Sequence, residues 1–545
     1  MRFGFASVTL VALLFLSGLE DPLPAQSAAS ADAPTPAPPD LSAARLRPFD
    51  DRMAAELGSY IAGFLDRSRA PGAAIAIVQS GKIVYAKGFG VRELGKPDPV
   101  TPQTLMMIGS MGKSMTTLMM ATLVDEGRIA WDTPAVKIYP GFVSSDPELT
   151  PRITLRDMVC DCTGVQRHDL EMYFAATRPT AEDVIRSLKT FPFAGEFGKT
   201  FGYVNQIVAA GGYIAAWAAR GPSSDLYSNY VNQMQRRVFD PAGMASTTFS
   251  LERVRSTANH ATPHGLKPTY EYVPIALDLE RPLESVAPAG GAWSNAEDMT
   301  RYLIAQLSQG ISANGIRVVS ANNLKVTWQP QIDVQPGASY ALGWAVAKYK
   351  GQRLLSHGGG TAGFSSDLTL LPDANLGIVV LTNAQNANLF GMAVRSRVIE
   401  LAFGQPMEMD ARYAAGVEYA KGRFHEKSLR RLSLDPTVAG AFQGTYQNEA
   451  LGEAGVTFAG GKLKLVTGGF TSELKNVGGG TYILWDPPLA SALVHFARDD
   501  QGQTRFVFDA DDPDVPEKYV FVKTAAASSL PASPAVSASP PAQRP

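Results

Sequence analysis

Apolar and polar positions alternate in distinct ways along the chain. A helical pattern near residues 50–67 is followed by "GAAIAIVQSGKIVYAKGFGVREL", two β-rich runs around the turn "QSGK", which predict a hairpin. Helical patterns dominate from 110 to about 310. Then "LGWAVAKYK", "QRLLSHGGG", "SSDLTLLPD" and "LGIVVLTNA" read as successive antiparallel strands, with a helix near 386–403. Strands at both ends with helices between predict an α/β (α+β) domain over residues 45–405. It would have one antiparallel sheet, flanking helices and a helical lobe. Residues 406–436 read as a helical connector. From 437 to 523 the pattern shortens to seven alternating runs, "GAFQGTYQ", "GVTFAGG", "KLKLVTGG", "TYILWD", "ALVHFARDD", "TRFVFDA" and "KYVFVK". Gly, Asp and Asn separate them, as in a C-terminal all-β barrel or sandwich.

The ends behave differently. One Arg precedes an apolar run from Phe3 to about Leu19, followed by small residues, so 1–25 reads as a signal peptide of a periplasmic or secreted protein. That run is short for a membrane span, and no other apolar stretch is long enough for one. Residues 26–44 and 524–545 are Ala/Pro/Ser-rich and are expected to be disordered.

Composition narrows the function classes. The 545 residues are 45% hydrophobic and 18% charged, with net charge −2, and no Lys/Arg-rich stripe invites nucleic acid. The two cysteines, Cys160 and Cys162 in "MVCDCTGV", read as small, partly buried side chains. A disulfide across one residue is a strained alternative. A metal site needs more ligands, and His168 completes no recognised spacing.

The stretch "GSMGKS" carries the chemistry. A phosphate loop needs glycine five residues before Gly112, where Met107 stands. The other pairing is Ser110 and Lys113, S-x-x-K, which share a helix face. At a helix start the Ser110 oxygen would meet backbone N–H groups, and a buried Lys113 would lose its proton readily. The bland reading is a greasy helix with two polar residues, and the surrounding methionines read as core filling. Further along, "TFGYVNQ" places Tyr203 and Asn205 before an apolar helix, and "LLSHGGG" places His357 before three glycines. Tyr203 beside two positive groups would have a lowered pKa and act as base.

S-x-x-K, then Y-x-N, then H-G-G resembles the serine β-lactamase and penicillin-binding-protein superfamily. The likeness is to its class C β-lactamase-related branch of D-aminopeptidases, esterases and DD-peptidases. It covers about 50–405 and includes "ITLRDMVCDCTGV", "VFDPAGMASTTF", "PAGGAWSNAEDM", "YALGWAV" and "HGGGTAGFSSDLTLLPDANLGIVVLTN". The resemblance implies a serine hydrolase that needs neither cofactor nor metal. It implies Ser110 as acylated nucleophile, Lys113 as its activator, Tyr203 as proton carrier and Asn205 as substrate orienter. The N–H groups of Ser110 and Gly360 would form the oxyanion hole, with Gly358 and Gly359 against the substrate. His357 stands where many relatives carry the lysine of K-T-G, a motif this chain lacks. A histidine mostly neutral near pH 7 shifts the expected substrate from β-lactams toward D-residue peptides or small esters. The competing reading is a non-catalytic protein of the same fold that binds cell-wall fragments.

Overall fold

The strand Gly72–Gln79 is buried along its whole length, as an apolar run without polar alternation requires. Ala74, Ala76 and Val78 enter one core, and Ala73, Ile75 and Ile77 enter another, because side chains alternate across a sheet. The computed structural model describes residues 40–175, 177–220, 225–429, 431–510 and 518–524. In it this strand belongs to an eight-stranded antiparallel sheet. The spatial order is Lys82–Gly90, Gly72–Gln79, Leu376–Thr382, Ser365–Leu371, Gln352–Gly360, Ala345–Tyr349, Ala338–Tyr340 and Ile332–Gln335. Ala73 lies opposite Thr382 and Ile77 opposite Ile378, so the two ends of the region join in mid-sheet. The last two strands, of three and four residues, are too short to leave an alternation in the sequence.

One face of the sheet carries the helical lobe. Met111, Met115, Met119 and Met120 are fully buried there, filling core as expected. The other face carries the helices Asp51–Ser68 and Asn388–Phe403. Asp50 caps the first of these, accepting the Met53 N–H at 2.8 Å. Its Leu57, Ile61, Phe64 and Leu65 recur at helical spacing on the buried side. The expected connector forms the helix Asp410–Leu429, which buries Tyr413 and Val417 in that same core.

The expected signal segment, most of the expected disordered lead and the tail from 525 lie outside the described residues. Residues 40–44, placed in that lead on composition, are ordered. Leu41 is buried and its N–H bonds the Lys350 carbonyl at 2.7 Å. One leucine with a backbone partner is enough to seat them.

The second domain is a closed eight-stranded barrel, its first and last strands paired at Tyr446 and Lys523. The strand not anticipated, Thr471–Gly478, buries only Ser472 and Leu474 and so reads as polar. Leu170 and Phe174 of the first domain share the barrel core. The Phe174 ring lies 5.3, 5.1 and 5.7 Å from those of Phe470, Phe508 and Phe521. Cys160 and Cys162 are not free thiols but a disulfide. Among the described residues no helix is long and apolar enough to cross a membrane.

Candidate active site

Ser110 sits in a single 3-10 turn, Gly109–Met111, that runs into the buried helix Gly112–Asp125. The turn abuts the strand Gln352–Gly360. A Cβ on Gly109 would lie 2.9 Å from the Gly360 nitrogen, and φ there is +55°, so glycine is needed on both counts. Gly359 makes the reciprocal allowance, since its Cβ would fall 2.1 Å from the Ile108 carbonyl oxygen. Gly359 therefore admits the nucleophile turn. Gly360 is the glycine that borders open space.

The strand's backbone also faces the turn. Thr361 N–H donates to the Phe364 carbonyl at 3.0 Å, closing a hairpin with no register shift behind it. Bonded pairs alternate along an antiparallel ladder. The Gly358 and Gly360 N–H groups therefore point to the strand's other edge, where the neighbouring strand pairs no further than Ser356. Buried Glu280 fixes the hairpin, accepting the Gly363 N–H at 2.8 Å and the Thr361 hydroxyl at 3.0 Å.

Lys113 is wholly buried one turn after Ser110. Its Nζ donates to Ser110 Oγ at 3.0 Å, Asn205 Oδ1 at 2.5 Å and the Ala289 carbonyl at 2.9 Å. Burial pushes its pKa down to about 7, against the opposing pull of Asp161 and Asp169. Asn205 opens the helix Asn205–Trp217, and its amide donates to both Asp169 oxygens at 3.0 Å. Arg167 Nε binds the same carboxylate at 2.7 Å. Burial raises the Asp169 pKa, but Arg167 and Asn205 more than offset it and hold the group below the usual range.

Tyr203 lies with its ring under Lys113 Nζ, 4.5 Å from the centroid, and its hydroxyl pairs with Ser110. Its environment corrects the expectation of a lowered pKa. Desolvation and the charge of Asp161 raise it well above the ordinary phenol value, outweighing the Ser110 bond and Arg167. His357 is likewise not a cation. Its Nδ1 donates to the Gly358 carbonyl at 2.6 Å, so its Nε2 accepts from the Tyr340 hydroxyl at 2.9 Å. Burial lowers its pKa to about 3, with Lys113 adding to the effect.

The structure thus brings Ser110, Lys113, Tyr203, Asn205, His357 and Gly358–Gly360 to one place. Sequence reasoning passed over Asp161, Arg167, Asp169, Glu280, Tyr340 and the Ala289 carbonyl. Tyr340 and Ala289 stand in quoted stretches, and Asp161 lies between the cysteines that drew attention instead. The arrangement offers a hydroxyl held by an amine of low basicity, a neutral phenol, and the Gly358 and Gly360 N–H groups at the open strand edge.

The family model described as Beta-lactamase matches residues 57–428. The chain is 28% identical over 368 residues to the unguisins hydrolase ungD' of Aspergillus campestris (strain IBT 28561), covering 64% of this chain and 65% of that protein. It is 26% identical over 331 residues to Protein flp of Staphylococcus aureus (strain MW2), covering 60% and 62%. The chain therefore spans just under two thirds of the length of these relatives. The octameric penicillin-binding protein homologue from Pyrococcus abyssi matches with a TM-score of 0.56 at 20% identity, over 86% of this chain and 99% of that one, a likeness of fold.

Proposed function

The chain belongs to the Beta-lactamase family, and from that premise we propose that it is a serine hydrolase that cleaves amide or ester bonds through an acyl-enzyme on Ser110. The observation that carries this is the buried Lys113 amine, bound at once to Ser110 Oγ and Asn205 Oδ1 and lowered in pKa. In the neutral form it accepts the Ser110 proton as Oγ bonds to the substrate carbonyl carbon. The N–H groups of Ser110 and Gly360 receive the oxyanion. Tyr203, kept as a neutral phenol, gives its proton to the leaving amine or alcohol and regains one from the Lys113 ammonium. Water then attacks the acyl carbon, its proton leaves by the same groups, and the acid product and free Ser110 return.

His357 directs the substrate class. Neutral and bonded on both nitrogens, it offers no charge to a substrate carboxylate. D-residue peptides and small neutral esters fit better than β-lactams. The hydrolase names of the Aspergillus relatives support turnover over mere binding of cell-wall fragments. The apolar N-terminal run of the sequence is the ground for a periplasmic or secreted location.

The test is intact-protein mass after a fluorophosphonate and, separately, a β-lactam, on wild type and Ser110→Ala. A fluorophosphonate adduct that vanishes in the variant is the expected result. No adduct on folded wild-type protein overturns the reading, and an adduct from the β-lactam overturns the substrate class alone.

A further inference from the structure

We propose that Asp161 is a positioning residue of this site, which clamps the Tyr203 segment from both sides and places a carboxylate against the Lys113–Tyr203 pair. The inference rests on the serine-hydrolase reading above. Asp161 is 1% exposed and sits in the left-handed region, φ +49°, between the two disulfide-bonded cysteines. That backbone turn lets one residue reach two amides. Its carbonyl accepts the Gly202 N–H at 2.8 Å, and its Oδ1 accepts the Val204 N–H at 3.1 Å. Tyr203 is the residue between. The Cys162 carbonyl extends the clamp, accepting the Gly198 N–H at 2.9 Å.

The Tyr340 hydroxyl approaches the Asp161 carboxylate, yet the second oxygen is buried without a hydrogen bond of full geometry. A buried carboxylate is unfavourable unless its charge is compensated. The groups around it come from every element packed there. Lys113 comes from the nucleophile helix and Arg167 from the loop before Leu170, where Asp169 also faces Lys113. Tyr203 comes from the clamped segment and Tyr340 from the sheet, where neutral His357 faces Lys113. Lys113 is the largest source of compensation, and Asp161 in turn favours its ammonium form. Burial raises the Asp161 pKa against that pull. Two consequences follow for separate variants. Asp161→Asn keeps an oxygen for the Val204 N–H but removes the charge, so Lys113 loses its proton at lower pH. Asp161→Ala also removes one side of the clamp, so Tyr203 drifts from Ser110.

The experiment measures the rate constant of fluorophosphonate labelling against pH for wild type, Asp161→Asn and Asp161→Ala, with thermal unfolding as a check on folding. Expected are a fall of about 100-fold across the pH range in Asp161→Ala, the size a displaced catalytic group produces, and a smaller fall in Asp161→Asn with the acid limb moved down by about one pH unit. Asp161→Asn carries the test if the alanine variant does not fold. Wild-type rates and limb in folded Asp161→Asn overturn the inference alone. An unmoved limb with equal losses in both variants also overturns it, because it leaves a merely structural role. An unlabelled wild type overturns the serine-hydrolase reading and this inference with it.

Discussion

Lys113 concentrates the residue-scale argument. An ammonium stripped of water is held by three acceptors, none of them a directly bonded carboxylate. Its proton is therefore weakly held, and the free amine appears near pH 7 rather than near the ordinary 10.5. Labelling of Ser110 should rise as pH increases through about 7, where the amine becomes free. Lys113→Arg keeps its proton throughout the working range. Its labelling rate is expected to fall by about 100-fold to 10,000-fold, the range for loss of a general base, and to lose that rise. A pH–rate series on both proteins checks this, and an arginine variant with the wild-type rise would remove Lys113 as proton acceptor. The same group carries a stability signature of known sign. The unfolded chain keeps the lysine proton up to about 10.5 while the folded one releases it near 7, so this residue's contribution to stability increases with pH between those values.

Among the elements, one short helix near the site ties the two domains together. Leu170–Phe174 has five residues, too few to persist alone. It is pinned by Asp169, which binds Asn205 and Arg167, and by Phe174, which fills the barrel. Phe174→Ala should destabilise the protein by about 3–5 kcal/mol, the usual cost of such a cavity. It should also slow Ser110 labelling, because Asp169 loses its anchor and Asn205 its orientation. Chemical denaturation and labelling kinetics read the two effects separately. Reduced stability with unchanged labelling would mean that Arg167 alone holds Asp169. This tie was not legible in the sequence, since Phe174 meets residues 470–521 and no local pattern records a contact some 300 positions away. The central strands of the sheet were legible because they are apolar on both faces, and most of the barrel because its strands alternate. Thr471–Gly478 escaped because its inward positions include Ser472. Ser110, Lys113, Tyr203, Asn205 and His357 were legible by spacing and order. Their protonation was not, because burial sets it: the phenol of Tyr203 is raised rather than lowered, and His357 is a neutral member of a hydrogen-bonded pair. Asp161 and Asp169 are single acids in loops, and only folding brings them beneath Lys113.

For the whole molecule, the two-sided sheet and the plugged barrel converge on a site whose charges are already committed. Lys113 serves three acceptors and Arg167 serves Asp169. Two buried acids, Asp161 and Glu280, and the partly exposed Asp169 stand around them. With a net charge of −2 the chain also provides no long-range attraction for anions. A substrate carboxylate arriving here would have to displace an existing partner of Arg167 or approach those acids. Two esters matched except for a carboxylate on the leaving group therefore measure this property of the fold. The neutral ester is expected to have a kcat/KM at least about tenfold higher, equivalent to about 1.4 kcal/mol of discrimination. Raising the salt concentration should narrow the gap, because the part that comes from exposed charge is screened. His357→Lys should not reverse the preference. The new ammonium would occupy a niche closed by Tyr340 and the Gly358 carbonyl, where a buried charge lowers stability before it meets any ligand. Preference for the carboxylated ester in wild type would mean that Arg167 exchanges Asp169 for substrate, and it would return the site to the penicillin-recognising class.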